Sequence, residues 1–180
     1  MLLPTLRNHG GAPARWCMRI VKIGACVIAG LVAAFLLALT IYGSVLTSRT
    51  QADARQQVFL HAGPPDPKPQ GVYQGSVAGR AVSWKGKRFH AERSAGINVF
   101  DEGGVVSEKY PFKTYVAPGI RDPEVSVFKI DYDLPENPFW LRRVLDEVVE
   151  VGPREYLGKI HVRWLFGSSI ALGYFKLEQR

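Results

Sequence analysis

From Ile23 to Leu46 the chain carries no charged residue, reading IGACVIAGLVAAFLLALTIYGSVL. At ~1.5 Å of rise per residue such a stretch covers about 36 Å as a helix, enough for a ~30 Å hydrocarbon core with some tilt. A soluble surface helix keeps one polar side, whereas this run is apolar all round. Residues 23–46 are therefore read as a single transmembrane helix. A cleaved leader has a shorter apolar region of roughly 7–15 residues, and Ala52-Asp53-Ala54, an A-x-A site, falls several residues beyond the run.

The flanks orient the span. Arg7, Arg15, Arg19 and Lys22 precede it, and Arg49 and Arg55 follow closely. The positive-inside bias places residues 1–22 in the cytoplasm and the C-terminal domain outside it. In a Gram-negative source the chain would be a single-pass inner (plasma) membrane protein with a periplasmic domain.

The net charge of +7 divides unevenly: residues 1–55 carry +5 and residues 56–180 carry +2. The basic excess thus belongs to the membrane-flanking segment, and a nucleic-acid partner is not expected. Cys17 and Cys26 are the only cysteines, both in that segment. The remainder has no disulfide, thiolate metal site or cysteine nucleophile.

Residues 47–70 are read as a linker, with Pro64, Pro65, Pro67 and Pro69 imposing an extended, semi-rigid path. Residues 71–180 then change to a period of two with frequent turn signals. The expected strands are Val72–Ala78, Ala81–Ala91, Ile97–Asp101, Val105–Val116 (interrupted by Pro111), Val125–Asp133, Glu147–Val151, Tyr156–Leu165 and Ser169–Glu178. Gly79-Arg80, Glu102-Gly103-Gly104 and Pro118-Gly119 read as turns, and Phe139–Leu145 as a short helix. The expected class is mainly β, a small antiparallel barrel or sandwich behind one N-terminal transmembrane helix.

Strand parity sorts the polar residues. In Ala81–Ala91, Trp84, Gly86, Arg88 and His90 share one face, and Lys85, Lys87 and Phe89 share the other. With Trp84 in the core, Arg88 and His90 are expected to point inward and the two lysines into water. In Val125–Asp133, Ser126, Phe128, Ile130 and Tyr132 form the core face, opposite Lys129, Asp131 and Asp133. Asp131 and Asp133 lie about 7 Å apart, a spacing that suits acid–base chemistry or an ion-paired face. In the later strand, Tyr156, Ile160, Val162 and Trp164 oppose Leu157, Lys159, His161 and Arg163. The histidines, at 9, 61, 90 and 161, have no short metal-ligand spacing; His90 and His161 would share a metal or haem only if the fold joined them. No phosphate-binding G-x-x-x-x-G-K-[ST] loop, G-x-S-x-G elbow or H-E-x-x-H helix is present, and neither a cofactor nor a metal site is expected.

Gly71-Val72-Tyr73-Gln74-Gly75, followed by Trp84-Lys85-Gly86-Lys87-Arg88-Phe89, resembles the bacterial family marked by a G-x-W-x-G signature with a later W-x-G-K-x-F stretch. Asp131-Tyr132-Asp133-Leu134-Pro135 and Tyr174-Phe175-Lys176-Leu177 are similar to its C-terminal half. Tyr73 in place of tryptophan, the apolar span and different spacings are departures. Gly71-Val72-Tyr73 also resembles the G-x-W opening of lipocalins. The resemblance covers residues 71–178 and implies a small calycin-like barrel; lipocalins bind small apolar ligands. No catalytic residue is carried over.

Three functions follow. The first is a membrane-anchored barrel binding a small hydrophobic or amphipathic, lipid-like molecule, with Trp84, Arg88, His90, Phe128, Tyr132, Tyr156 and Trp164 as candidate ligand-binding residues. The second is an accessory or assembly protein meeting a membrane-protein partner through its span and through surface aromatics such as Phe139 and Trp140. The third is an enzyme in which Arg88, His90, Asp131 and Asp133 converge. An interior apolar cavity of at least ~300 Å³ would favour the first.

Overall fold

A computed structural model describes residues 12–77 and 83–179. The chain divides into two compact units between Tyr42 and Gly43. Helix α1 runs Ala12–Gln51, and within it Val21–Gln51 is long and apolar enough to cross a membrane. The Ala- and Leu-rich composition favours helix, and no proline interrupts it after Pro13. Residues 1–11, with Arg7, lie outside the described residues.

The second unit is a closed barrel of eight antiparallel strands in chain order. These are β1 (Gly71–Ser76), β2 (Trp84–His90), β3 (Ala95–Glu102), β4 (Val105–Pro118), β5 (Ser126–Asp131), β6 (Val144–Gly152), β7 (Glu155–Arg163) and β8 (Ser169–Glu178). β1 pairs with both β2 and β8, so the sheet closes on itself and leaves no edge strand. The barrel is compatible with a calycin-like architecture. The expected turn at Gly79-Arg80 and the strand residues Ala78, Ala81 and Val82 lie outside the described residues.

Two local features differ from expectation. β4 runs unbroken through Pro111, because the strand bulges there. Lys109 and Pro111 pair with successive β3 residues, Asn98 and Ile97, and Tyr110 is the extra residue, at φ 65°. The bulge accommodates a residue with no amide hydrogen to give to the ladder. The expected helix Phe139–Leu145 is instead a turn with one short 3₁₀ segment, Leu141–Arg143, and Val144 already opens β6.

Residues 47–70 are not simply an extended linker. α1 continues to Gln51, and a second helix, α2, spans Arg55–His61. The prolines begin only at Pro64, and Val58-Phe59-Leu60 offers an apolar face to bury. Phe59 is wholly buried against Val125, Val127, Val149, Leu157 and Tyr174, on the outer wall of the barrel. Such burial stabilises by about 1.5–3 kcal/mol. Gln56 Nε2 donates to Asp122 Oδ1 (2.9 Å), Lys159 Nζ donates to Asp122 Oδ2 (2.5 Å), and Tyr174 donates to Gln56. The outer cover is therefore fixed by paired polar groups as well as by Phe59.

The strand register divides the barrel into two ends. The β2–β3, β4–β5 and β6–β7 connections leave from one. Here Tyr73, Phe89, Phe112, Phe128, Tyr156 and Leu177 fill the interior. Edge-to-face contacts link Tyr73 to Phe89 (5.6 Å), Phe89 to Phe112 (5.5 Å) and Phe112 to Tyr132 (5.7 Å). The β1–β2, β3–β4, β5–β6 and β7–β8 connections leave from the other end, which the described residues leave open.

Candidate functional site

Gly86 decides what faces the interior. Trp84 and Gly86 pair with Phe100 and Val99, consecutive residues of β3, so β2 bulges between them. Gly86 has φ 136°, and a Cβ there would overlap the Tyr73 carbonyl oxygen. Only glycine fits this turn of the backbone. The bulge reverses the alternation beyond it: Lys87 and Phe89 point inward with Trp84, and Arg88 and His90 point outward.

Lys87, expected in water, is therefore 2% exposed. Its Nζ lies 3.1 Å from Asp146 Oδ2, donates to Asn98 Oδ1 (3.0 Å) and is hydrogen-bonded to the Tyr132 hydroxyl. Tyr132 also contacts Asn98 Oδ1 (3.2 Å) and Asp146 Oδ2 (3.3 Å), and Trp84 Nε1 donates to Asn98 Oδ1 (3.1 Å). Asn98 Nδ2 donates to Tyr110 O (3.0 Å). The rings of Trp84, Phe112, Tyr132 and Phe175 surround the ammonium at 5.1–5.4 Å. Burial holds the Lys87 ammonium below the usual lysine range, with the Asp146 carboxylate opposing it. Burial, then the Asp146 charge, pushes the Tyr132 hydroxyl well above the ordinary tyrosine value.

Above this polar layer the open half of the barrel holds a cavity of about 430 Å³. Trp84, Phe100, Tyr110, Trp140, Val144 and Phe175 contribute walls, with Lys87, Asn98, Tyr132 and Asp146 at the floor. Three donors on Lys87 have three acceptors, and the lysine and aspartate charges cancel. The floor is thus neutral and internally satisfied.

The expected site residues separate. Trp84 and Tyr132 line the cavity. Phe128 and Tyr156 belong to the aromatic filling of the closed end, where the Tyr156 and Tyr73 hydroxyls meet at 3.2 Å. Trp164 follows β7 in the turn to β8, half-buried, and is not among the cavity-lining residues. Arg88 is on the outer face, where its Nε donates to Glu108 (2.6 Å), and His90 is half-buried on the same face. Asp131 accepts from Arg163 (2.8 Å) and Tyr115 (3.1 Å), and Asp133 accepts from Arg142 (2.8 Å). Burial presses the Asp131 carboxyl upward, but the Asp133 amide and Arg163 together hold it below its ordinary value.

Arg88 and His90 on β2 are separated from the two aspartates by β3 and β4, so these four groups do not converge. His161, also outward, is wholly buried with Nε2 3.1 Å from Glu147 Oε2. β1 and β8 lie between its strand and that of His90. Sequence parity missed Lys87, Asn98 and Asp146; the glycine within a strand pattern at 86 was the available sign of a bulge.

No family model matches the chain, and no curated protein or solved structure is significantly similar to it. The G-x-W-x-G resemblance thus gains no support as a family relationship, while the barrel it implied is present.

Proposed function

We propose that the chain is a membrane-anchored, non-catalytic barrel that takes up the apolar part of a small amphipathic, lipid-like molecule. The observation that carries this reading is the aromatic-walled cavity of about 430 Å³ above a neutral polar floor. Its size lies within the ~300–1,000 Å³ common for small-molecule sites. The satisfied Lys87–Asp146 floor offers no unpaired charge to a headgroup. The apolar part of the ligand enters first, and the polar head stays at the mouth. Arg142, Arg143 and Arg163 stand there with Asp133 beside a smaller surface cleft. Helix α1 serves as the anchor, with its N-terminus in the cytoplasm and the barrel on the other side of the inner membrane.

Native mass spectrometry of the full chain released from detergent tests this reading. A bound amphiphile that disappears in Val144→Trp, which fills the cavity, is the expected result. A wild-type chain that carries nothing from several lipid backgrounds would count against it.

A further inference from the structure

Within the barrel unit, residues 43–50 of α1 pack beside the pocket mouth. Gly43, Thr47 and Thr50 are buried, at the spacing of one helix face. Thr50 Oγ1 donates to Ala171 O (3.2 Å), and Ala171 N donates to Thr47 Oγ1 (3.0 Å). A side chain at Gly43 would overlap Ile170. β8 starts at the open end, so the helix approaches that end when followed from Thr50 back to Gly43. Leu46 is the last residue of the stretch read as the span, and it lines a cleft with Val77 and Ile160. Those two residues also line the ligand cavity.

From this arrangement, and resting on the ligand-binding reading, we propose that the open end of the barrel docks on the surface of the bilayer that α1 spans, and that the amphiphile passes from lipid into the cavity apolar end first. The residues at this end suit a lipid surface. Phe139 is 82% and Trp140 54% exposed, and Trp140 also lines the cavity. Exposed aromatics of this kind settle at the level of lipid headgroups. Arg142, Arg143 and Arg163 stand at the same rim with Asp131, Asp133 and Glu136, so its charges balance and the two exposed aromatics carry the contact with lipid. Leu46, the last residue of the stretch read as the span, lies beside the cavity-lining Val77 and Ile160, which favours lipid over a protein partner.

Depth-dependent quenching tests the proposal. The full chain, in a Cys17→Ser, Cys26→Ser background, receives Phe139→Cys or, at the opposite end, Glu92→Cys. Each is labelled with an environment-sensitive dye and reconstituted in phosphatidylcholine–phosphatidylglycerol vesicles containing doxyl-labelled phosphatidylcholine. The dye at 139 is expected to be quenched severalfold more than the dye at 92. Equal quenching, or more at 92, overturns the proposal, as does a dye at 139 shielded by a protein partner. The same samples are analysed for bound amphiphile. Bound amphiphile without quenching at 139 removes the docking alone. Quenching without bound amphiphile removes the ligand reading and leaves the docking standing.

Discussion

Lys87 and Asp146 meet inside the barrel, Nζ to Oδ2 at 3.1 Å, with 3% and 6% of their side chains exposed. They lie where the aromatic filling of the closed end gives way to the cavity. A charge pair taken out of water is stabilised only while both members remain. Asn98, Tyr132 and Trp84 complete the hydrogen bonding around the pair at the floor of the cavity.

Asp146→Leu alone is expected to destabilise the barrel by about 3–5 kcal/mol, since it leaves the Lys87 ammonium buried without its counter-charge. Lys87→Met with Asp146→Leu is expected to cost less than the single change. Denaturant unfolding of the full chain in detergent compares the two. A double variant less stable than Asp146→Leu would show that the pair is not the main element of the floor.

Gly86→Ala meets two obstacles at once, a φ of 136° and the Tyr73 carbonyl. Strain of this kind costs on the order of 1–3 kcal/mol for the backbone alone, before the overlap. The bulge should be lost or distorted and Lys87 displaced from Asp146. A lower melting temperature together with weaker amphiphile binding is expected. An unchanged melting temperature would show that the strand accepts ordinary geometry here.

Phe59→Ala acts on the other side of the wall. Removing a fully buried phenylalanine costs about 3–5 kcal/mol. Faster amide exchange should appear in α2 and in the 119–125 connection, which Asp122 ties to Gln56 and Lys159. The cavity has no contribution from Phe59, so amphiphile binding by the folded variant should be preserved.

Acid sensitivity is expected at Glu147. Burial presses its carboxyl upward, yet His161, the Ile120 amide (2.7 Å) and Lys129 together hold it below its ordinary value of 4.5. A carboxylate with a depressed folded value adds stability that is complete above the unfolded value. That stability is lost as pH falls through the folded one. Melting temperature should therefore decline as pH drops below about 4.5. Glu147→Gln should lower the neutral-pH plateau and flatten this decline.

The barrel was legible because antiparallel strands with one buried face alternate in sequence, and turns such as Gly103-Gly104 mark their ends. The core residues Phe128, Ile130 and Tyr132 followed from parity, since β5 is regular there. The same parity failed in β2, where the bulge at Gly86 exchanged Lys87 with Arg88. Lys87 then takes a long-range partner, Asp146, which no local pattern announces. Phe59 was hidden for a related reason: its neighbours Val149 and Tyr174 come from β6 and β8, far along the chain. The apolar span needed no such pairing and could be read directly.

The cavity above Lys87 and Asp146 is the proposed seat of the amphiphile. Titration of the full chain with a fluorescent long-chain carboxylic acid, beside Val144→Trp with its fold verified by circular dichroism, tests it most directly. Saturable binding at one site is expected for the wild-type chain, with affinity weakened roughly tenfold or more in the variant, a loss of about 1.4 kcal/mol. Equal binding by both chains, or no saturable binding by the wild type, would contradict it.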